Sequence, residues 1–288
     1  MAADDATQTR WKREVEREFA EPRAVAAWRT WNPTWVEWMR PLTDRLLQVA
    51  RLEPGLRVLD VGSGAGEPAL TIAGLVGPAG AVVASDPSPD LLAMAEEQAA
   101  RAGLANLTCQ LADVAALPFP DAAFDRVTCR LGVMYFLDPV AGLAEMRRVL
   151  VPGGRAAVLV WGDPGHASYA AAFFGPILSR VELPAPEPGA PNPYRFAAPG
   201  TLRQALEAAG YGEVDEQVLL VPVRFPGPAA EFMRWFREVA IPMDFIWERL
   251  GPDATERAVA EIVANMRQYE EGGEVRMEIE VVVGTGVR

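Results

Sequence analysis

The sequence predicts an α/β fold in which a parallel sheet carries helices on both of its faces. The first observation is a regular alternation of strand-like and helix-like segments between residues 57 and 161. The predicted strands are 57–61, 81–85, 107–111, 124–129 and 155–161, and the helices between them are 68–76, 88–101 and 140–150. The second observation is a glycine-rich turn at 62–66, directly after the first strand. Strands that alternate with helices build parallel βαβ units, and a chain of 288 residues that is 50% hydrophobic can bury such a sheet.

The segments on either side of this alternation are predicted as follows. Residues 10–50 have helical character, and their spacing puts four tryptophans on one helical face: Trp28, Trp31, Trp35 and Trp38. Pro33 is expected to interrupt this helix, with Asn32 as the cap of a new one, and a further helix is expected over 41–52. Beyond residue 161 the predicted helices are 201–209, 228–240 and 253–270, and the predicted strands are 214–225 and 275–283.

The turn after the first strand has the chemistry of a nucleoside-binding site. Its glycines stand at alternate positions, 62, 64 and 66, and Asp86 ends the next strand twenty positions later. Glycines let the backbone approach a ligand closely, and an acid at a strand tip can accept hydrogen bonds from ribose hydroxyls. A dinucleotide turn instead spaces its glycines as G-x-G-x-x-G around a pyrophosphate. Because Asp60 precedes the turn and would repel phosphate, a ligand with an ammonium group is favoured.

The stretch 58–66 closely resembles the first motif of class I S-adenosylmethionine (SAM)-dependent methyltransferases, which is a hydrophobic run followed by (D/E)-x-G-x-G-x-G. Later phrases resemble further motifs of this family, in the same order along the chain. The Leu-Pro-Phe phrase at 117–119 is similar to one in the ubiquinone/menaquinone-biosynthesis-like branch, the type 11 methyltransferases. The other matching segments are 112–114, 124–127 and 150–155, the last similar to a widespread L-K-P-G-G turn.

This resemblance implies SAM as the cofactor and S-adenosylhomocysteine as its product. It also implies a Rossmann-like, seven-stranded, mostly parallel sheet whose last strand is antiparallel, with a helical insertion before that strand. The N-terminal residues 1–52 would form a helical lid, and residues 53–288 the methyltransferase domain, with cap segments at about 162–199 and 226–272.

Within that domain the resemblance assigns cofactor contacts to individual residues. Asp86 would contact the ribose and Asp113 the adenine amino group. Arg130 would contact the methionine part of SAM or a substrate acid, unless it is a solvated edge residue. The cofactor-binding candidates are Asp60, Gly62, Ser63, Gly64, Gly66, Asp86, Pro87, Asp113, Val114, Arg130 and Leu131.

Aromatic side chains on both flanks of the cofactor site predict an apolar, ring-containing methyl acceptor. One group comes from the N-terminal tryptophans, and the other repeats helical spacing near Trp235. Aromatic faces also attract a sulfonium, as they attract an ammonium. Simple packing into the core is the competing interpretation for each of them. The candidate pocket residues are Trp31, Trp35, Trp38, Tyr135, Phe173, Trp235 and Phe236.

His166 is the only histidine and follows the fifth predicted strand. Loops at strand ends carry catalytic groups in such sheets, and histidine is the commonest general base for a phenol or alcohol. His166 is therefore the candidate catalytic residue, with Asp163 and Tyr135 as weaker candidates. A surface histidine without a catalytic role is the alternative.

Composition narrows the possible partners and cofactors. The net charge is −12, and no cluster of Lys and Arg resembles a nucleic-acid surface, so a nucleic-acid partner is not expected. Cys109 and Cys129 are expected to be buried free thiols, and a single histidine leaves too few ligands for zinc, so no metal is expected. The chain shows no apolar run of signal-peptide or membrane-span type, which predicts a soluble cytoplasmic protein. The oligomeric state stays open.

The predicted function is SAM-dependent transfer of a methyl group to a small, largely apolar metabolite by direct SN2 displacement. Two acceptor chemistries remain open: the carbon of a quinone-type ring, and an oxygen or nitrogen of a specialised metabolite. A nicotinamide-linked dehydrogenase is disfavoured by the glycine spacing, and by Lys12 being the only lysine, which leaves no Tyr-x-x-x-Lys pair. A module that binds SAM without turnover is a further alternative.

Overall fold

The computed structural model describes residues 5–183, 187–240 and 243–288, and its centre is one mixed β-sheet. The strands of the described chain are β1 (Arg57–Val61), β2 (Ala81–Asp86), β3 (Leu107–Leu111), β4 (Phe124–Arg130), β5 (Leu150–Trp161), β6 (Gly212–Phe225), β7 (Glu270–Glu271) and β8 (Glu274–Val287). The helices are α1 (Asp5–Ala20), α2 (Pro22–Ala50), α3 (Ala69–Val76), α4 (Pro89–Ala102), α5 (Pro139–Val149), α6 (Ala170–Leu178), α7 (Thr201–Ala208), α8 (Ala229–Val239), α9 (Asp244–Leu250) and α10 (Pro252–Met266).

The strands follow the order β3-β2-β1-β4-β5-β8-β6. The first five are mutually parallel, whereas β8 runs antiparallel to both of its neighbours, β5 and β6. This topology confirms the predicted α/β fold with its mostly parallel sheet and antiparallel last strand. Chain order reverses between β1 and β4, and open α/β sheets bind their ligands at the carboxyl ends of strands that flank such a switch point.

The sheet of the described residues has one strand more than the predicted seven. The additional strand, β7, has two residues and pairs with the start of β8. The turn between them is Gly272-Gly273, whose φ angles are 64° and 84°. Two successive residues with positive φ suit a tight β-hairpin, so the chain turns back where the sequence analysis extended a helix to residue 270.

The helix α2 is continuous, and the prediction that Pro33 interrupts it after an Asn32 cap is wrong. A proline inside a helix costs about 3 kcal/mol through its missing N–H and its ring. Packing offsets this cost, because burying one large apolar side chain is worth about 1.5–3 kcal/mol. The second half of α2 packs on the sheet through several side chains without exposed surface: Met39, Leu42 and Leu46. This half of the segment 1–52 is therefore part of the hydrophobic core.

Separate hydrophobic clusters cover the two faces of the sheet. One cluster on the first face includes side chains from α2, α6, α8 and α10, and the cluster on the opposite face includes side chains from α5 and α7. Leu131 and Trp161, at the ends of β4 and β5, pack against both clusters. The two clusters therefore meet at the carboxyl edge of the sheet.

The two predicted cap segments contain helices that lie near this edge. Residues 162–199 include the short 3-10 turn Pro164–His166 and α6, and residues 226–272 include α8, α9 and α10. Residues 1–4 of the predicted lid, and 184–186 and 241–242 of the predicted caps, lie outside the described residues. Within the described ranges, no helix combines the length and the apolar character needed to cross a membrane.

Candidate functional site

The glycine-rich loop after β1 lies at the switch point of the sheet. Gly62, Gly64 and Gly66 have φ angles of 68°, 54° and 115°, which are left-handed conformations that favour glycine. At Gly66 a Cβ would also lie 2.9 Å from the Leu70 side chain and 3.1 Å from that of Ala95. At Gly64, by contrast, a Cβ would meet no described atom within 4 Å. The loop backbone therefore borders open space that a ligand can enter.

Asp86 ties this loop to the end of β2. Its Oδ2 accepts a hydrogen bond from the Gly64 N–H at 2.9 Å, and its Oδ1 accepts one from the Ser88 N–H at 2.9 Å. Burial raises the pKa of the Asp86 carboxyl, and the two hydrogen bonds act against this shift. Each carboxylate oxygen keeps a second lone pair, so Asp86 can hold the loop and also accept hydrogen bonds from ligand hydroxyls. Pro87, between Asp86 and Ser88, is exposed.

The Asp60 carboxyl is fully buried where β1 enters the loop. Its Oδ1 accepts a hydrogen bond from the Thr128 hydroxyl at 2.7 Å. Its Oδ2 and the buried Ser63 Oγ make no well-formed hydrogen bond among the described residues, although the Ala69 backbone N–H is near enough to lower the pKa of the carboxyl. Desolvation raises the pKa of Asp60 to about 7. A buried polar atom without a partner costs about 1–3 kcal/mol, and a ligand ammonium would satisfy this one. The orphaned carboxylate oxygen beside an open glycine loop therefore fits SAM.

Arg130, at the end of β4, makes its hydrogen bonds to the protein. Its guanidinium donates to the Thr43 hydroxyl on α2 and, at 2.8 Å, to the carbonyl oxygen of Glu67 just after the loop. Desolvation lowers the pKa of Arg130, and the carboxylates of Asp60 and Glu67 oppose this shift. Arg130 thus joins α2 to the end of the glycine loop, and a direct contact between Arg130 and the cofactor stays a prediction.

Leu131 follows with a φ of 61°, a left-handed conformation that costs about 1–2 kcal/mol for a residue with a Cβ. Its N–H donates to the Leu159 carbonyl at 2.7 Å, which holds the backbone in place. Strained residues that the surrounding structure holds in place cluster at functional sites. The strain at Leu131 has no signal in the sequence, since leucine is not a residue that favours positive φ.

Asp113 lies after β3 and meets the N-terminal helix. Its Oδ1 accepts a hydrogen bond from the Ala115 N–H at 3.0 Å, and its Oδ2 lies 2.9 Å from the Lys12 ammonium of α1. Partial burial raises the pKa of the Asp113 carboxyl, but these two contacts outweigh it and leave the pKa below its usual value. Val114 packs against the cluster under α5. The helix α1 therefore reaches the carboxylate that the resemblance assigns to adenine.

Most of the predicted pocket aromatics form one cluster between α2, α6 and α8. The members of this aromatic cluster are Trp35, Trp38, Phe173, Trp235 and Phe236. Trp161, at the end of β5, joins it with its ring 6.2 Å from that of Trp38. Phe173 and Trp235 are 0% and 1% exposed and so belong to the core, whereas Trp35 and Phe236 are half-buried. Only the half-buried members are placed to line an open pocket.

Trp31 and Tyr135 lie apart from the ring contacts of this cluster. The indole N–H of Trp31 donates to Glu238 on α8, and the guanidinium of Arg234 lies 4.9 Å from the centre of its ring. Tyr135 belongs to the short 3-10 turn Val133–Tyr135 and packs against the cluster on the opposite face of the sheet. Trp31 therefore packs against the surface of α8, and Tyr135 approaches the carboxyl edge from the other side.

His166 forms a dyad with Glu280 of β8 at the carboxyl edge. The His166 Nδ1 lies 2.7 Å from Glu280 Oε2, and Glu280 Oε1 accepts a hydrogen bond from the Asp163 N–H at 2.8 Å. A Cβ at Gly162 would lie 2.6 Å from Glu280 Cγ, so glycine leaves room for this carboxylate. The hydrogen bond and the charge of Glu280 raise the pKa of His166. Because a carboxylate only accepts, neutral His166 carries its proton on Nδ1 and presents Nε2 as a base.

Three residues of the site were not predicted from the sequence: Glu280, Lys12 and Thr128. Glu280 is 114 positions from His166, and Lys12 is 101 positions from Asp113, so only the folded chain pairs them. In β8, Glu280 and the solvated Glu278 both alternate with buried residues, so the sequence pattern does not distinguish one from the other. Thr128 did carry a usable signal, because a hydroxyl within an apolar strand needs a buried partner.

In the part of the chain that the structure describes, the thiols and the other metal-binding side chains form no metal centre. Cys109 and Cys129 are free, and burial raises their pKa values to about 11 and about 12, so both are protonated at neutral pH. Across the described ranges, no group of three or more His, Cys, Asp or Glu side chains is arranged to hold a metal ion.

Some matches to known proteins cover only part of this chain, and the match to one relative covers nearly its whole length. The family described as "Methyltransferase domain" matches residues 58–154. The Nocamycin O-methyltransferase of Saccharothrix syringae is 32% identical over 270 residues, which cover 89% of this chain and 94% of that protein. The ubiquinone/menaquinone biosynthesis C-methyltransferase UbiE of Geobacter sulfurreducens is 42% identical over 115 residues, which cover 40% of this chain and 45% of that protein.

A solved structure agrees with these matches at the level of the fold. The YcgJ protein of Bacillus subtilis superposes with a TM-score of 0.56 at 18% identity, over 85% of this chain and 97% of that one. The nearly full-length relative, the domain match and the motifs at the switch point agree with one another. The chain therefore belongs to the class I SAM-dependent methyltransferases, and SAM is its cofactor.

Proposed function

We propose that this methyltransferase transfers its methyl group to an oxygen atom of a small, largely apolar, ring-containing metabolite. The observation that carries the proposal is the His166–Glu280 dyad at the carboxyl edge of the sheet. A hydroxyl acceptor must lose a proton to a base, whereas the carbon of an electron-rich ring can attack without one. The relative matched over 94% of its length is named an O-methyltransferase, and the C-methyltransferase is matched over 45% of its length, which supports oxygen over carbon.

The cofactor would lie along the loop at 62–66. Its ammonium group would pair with Asp60, the ribose hydroxyls would donate to Asp86, and the adenine amino group would donate to Asp113. The left-handed backbone at Gly64 would let the ligand approach closely. The other residues proposed to line this pocket are Gly62, Ser63, Gly66, Pro87, Val114, Arg130 and Leu131.

SAM supplies, when bound, an activated methyl group together with its leaving group. The side chains of the protein then have three tasks, which are to align the acceptor, to exclude water and to take up a proton. His166 Nε2 would take the proton of the acceptor hydroxyl as the new bond between oxygen and carbon forms. The Glu280 carboxylate would stabilise the imidazolium, which can pass its proton to water because the His166 ring is exposed.

The acceptor would lie between the dyad and the aromatic cluster. Tyr169 links the two, because it follows His166 by three positions and its ring lies 6.0 Å from that of Phe173. Burial raises the pKa of the Tyr169 phenol, which therefore stays neutral and can donate a hydrogen bond. An apolar ring that carries an oxygen substituent fits a wall of Trp35 and Phe236 with such a donor beside it.

The helix α1 would act as a lid over the cofactor. Besides the Lys12–Asp113 pair, the Arg10 guanidinium lies 2.7 Å from Glu187, and the Trp11 indole N–H donates to the same carboxylate at 3.1 Å. These contacts connect α1 to Asp113 at the proposed cofactor site and to Glu187 in the first cap segment. The ion pairs are about half-exposed, and such pairs are worth about 0–1 kcal/mol each, so the burial of Trp11, which is 5% exposed, is the main contact that opening of α1 would lose.

A panel of acceptors with labelled SAM tests the proposed function. Phenols, enols and carboxylic acids that carry an apolar ring are expected to be methylated, and quinols whose hydroxyls are all O-alkylated are not. The position of the label, determined by mass spectrometry and NMR, distinguishes an oxygen product from a carbon product. Label on a ring carbon would overturn the proposal, and SAM binding without transfer to any acceptor would favour a binding module.

Asp60→Asn is expected to weaken SAM binding about 10- to 100-fold, because a charge-assisted hydrogen bond is worth about 1.5–3 kcal/mol. In the wild type, affinity should fall as the pH drops below about 7, since protonation of Asp60, whose pKa is raised to about 7, removes the negative charge. Calorimetric titration with S-adenosylhomocysteine on both sides of that pH measures both effects. Asp44→Asn, at an exposed position on α2, is the control, and equal affinities for all three proteins would contradict the assignment.

His166→Gln is expected to lower kcat about 10²- to 10⁴-fold for an oxygen acceptor, which is the usual contribution of a general base. Only neutral His166 can take the proton, and its pKa is raised above 6.5, so kcat/KM should increase with pH up to that raised value. The variant should lose this rising limb, and Glu280→Gln should move it to lower pH. The sole imidazole gives a single NMR titration for comparison. Glu278→Gln is the matched control on β8, and an unchanged pH profile in His166→Gln would remove the residue from the mechanism.

Lys12, the only lysine, reports on the lid. If α1 closes over bound cofactor, SAM should slow acetylation of Lys12 several-fold, because the ammonium is then held on Asp113 and shielded. Mass spectrometry of the proteolytic peptide that contains Lys12 separates this site from the N-terminal amine, with a lysine peptide in the same tube as the reference. Asp113→Asn should abolish the protection, and faster labelling with SAM would show instead that the cofactor displaces Lys12.

A further inference from the structure

The glycine loop has almost no side chains of its own with which to hold its position, since it consists of Gly62, Ser63, Gly64, Ala65 and Gly66. Its N–H groups are anchored to β2, because Gly62 and Ser63 donate to the Ser85 carbonyl at 2.8 and 3.0 Å. The Ala65 carbonyl takes its donor from a side chain outside the loop. Gln98 on α4 supplies it, donating from Nε2 to the Ala65 oxygen.

The same Gln98 amide is held by α2. Its Oε1 accepts a hydrogen bond from the Asn32 Nδ2 at 2.9 Å, across 66 positions of sequence. This contact fixes which end of the Gln98 amide faces the loop, since an oxygen that accepts from Asn32 leaves the NH2 group for Ala65. Asn32 therefore serves as the orienting partner of Gln98 in the position where the sequence analysis expected a helix cap.

A second link between α2 and the loop starts from Thr43, which accepts from Arg130, whose guanidinium also donates to the Glu67 carbonyl. Asn32 and Thr43 are eleven residues apart on one helix, or about 16 Å at the usual rise per residue. Two separated points of a single helix are thus linked, through Gln98 and Arg130, to the C-terminal end of the loop at Ala65 and Glu67. The half-buried Trp35 of the proposed acceptor pocket lies on α2 between these points.

We propose that Gln98, oriented by Asn32, is a positioning residue for the cofactor loop and sets its affinity for the adenosyl ligand. The proposal rests on the cofactor site assigned to the loop under the proposed function, and it does not depend on the acceptor. The helix α2 also carries aromatic residues of the proposed acceptor pocket. The hydrogen bond between the Asn32 and Gln98 amides therefore connects that pocket to the cofactor loop. A neighbouring ion pair between Arg29 and Glu97, at 2.9 Å, docks α2 on α4 without touching the loop.

Three variants separate positioning of the loop from docking of the helix. Gln98→Glu can still accept from Asn32 but cannot donate to the Ala65 carbonyl. Asn32→Asp can still bond Gln98, but only by turning the amide so that its oxygen faces Ala65. Glu97→Gln loses the ion pair between α2 and α4 and leaves the loop contact intact.

The measurements are calorimetric Kd values for S-adenosylhomocysteine and hydrogen exchange of the amides at 62–66. One hydrogen bond corresponds to about a 3- to 10-fold change in Kd. Gln98→Glu and Asn32→Asp are expected to weaken binding by about that factor and to speed exchange in the loop, with thermal unfolding of the ligand-free protein nearly unchanged. Glu97→Gln should bind within about 2-fold of the wild type.

Wild-type affinity in both amide variants would overturn the proposal, as would equal weakening in Glu97→Gln, which would indicate a general effect of helix docking. Because the ligand is S-adenosylhomocysteine, failure to methylate any oxygen acceptor leaves this result intact. Loss of the oxygen-acceptor assignment and loss of the Gln98 assignment are therefore distinguishable.

Discussion

The buried carboxylate of Asp60 is the physical constraint on which the arrangement of the proposed cofactor site depends. Its folded pKa of about 7 lies above its ordinary value of 3.8 because burial disfavours the charge. The stability linked to this group is therefore fully present below about pH 4 and is lost as the pH rises through about 7. Thr128 and the nearby Arg130 reduce this cost without removing it. Neutral pH is close to this pKa, so Asp60 is only partly ionised in the ligand-free protein, and a bound ammonium group would favour its charged form.

Features that follow from local sequence could be predicted, and features that depend on contacts across the fold could not. The glycine spacing at 62–66 and the acid at Asp86 act within one βαβ unit, so their pattern predicts their geometry. Asn32 shows the limit, because its residue type and the following Pro33 favour a helix cap. Packing of α2 against the sheet overrides that preference, and its amide then bonds Gln98. The hairpin at Gly272-Gly273 was missed because the helical pattern before it continues almost to the turn.

The aromatic residues show why spacing alone did not distinguish a pocket wall from a core. Trp35 and Trp38 share one face of α2, yet Trp38 is 5% exposed and packs 5.0 Å from the ring of Trp235, whereas Trp35 is half-buried. The core interpretation therefore holds for Trp38, and the pocket interpretation stays a prediction for Trp35. Which member lines a pocket depends on how far α8 and α6 cover it, and helical periodicity carries no information about those helices.

The antiparallel last strand explains how an acid comes to face His166. In a parallel strand, residues reach the carboxyl edge only where the strand ends, as Asp86 does. The strand β8 runs the opposite way, and its register sets Val281 beside Trp161 at the end of β5. Glu280 therefore lies at that edge near the middle of a fourteen-residue strand. Its backbone pairs with Leu220 of β6 on one side, and its carbonyl accepts a hydrogen bond from the Gly162 N–H at 2.9 Å on the other. A carboxylate fixed in this way can orient the exposed imidazole, so strand direction, rather than any local motif, places the dyad at the carboxyl edge of the sheet.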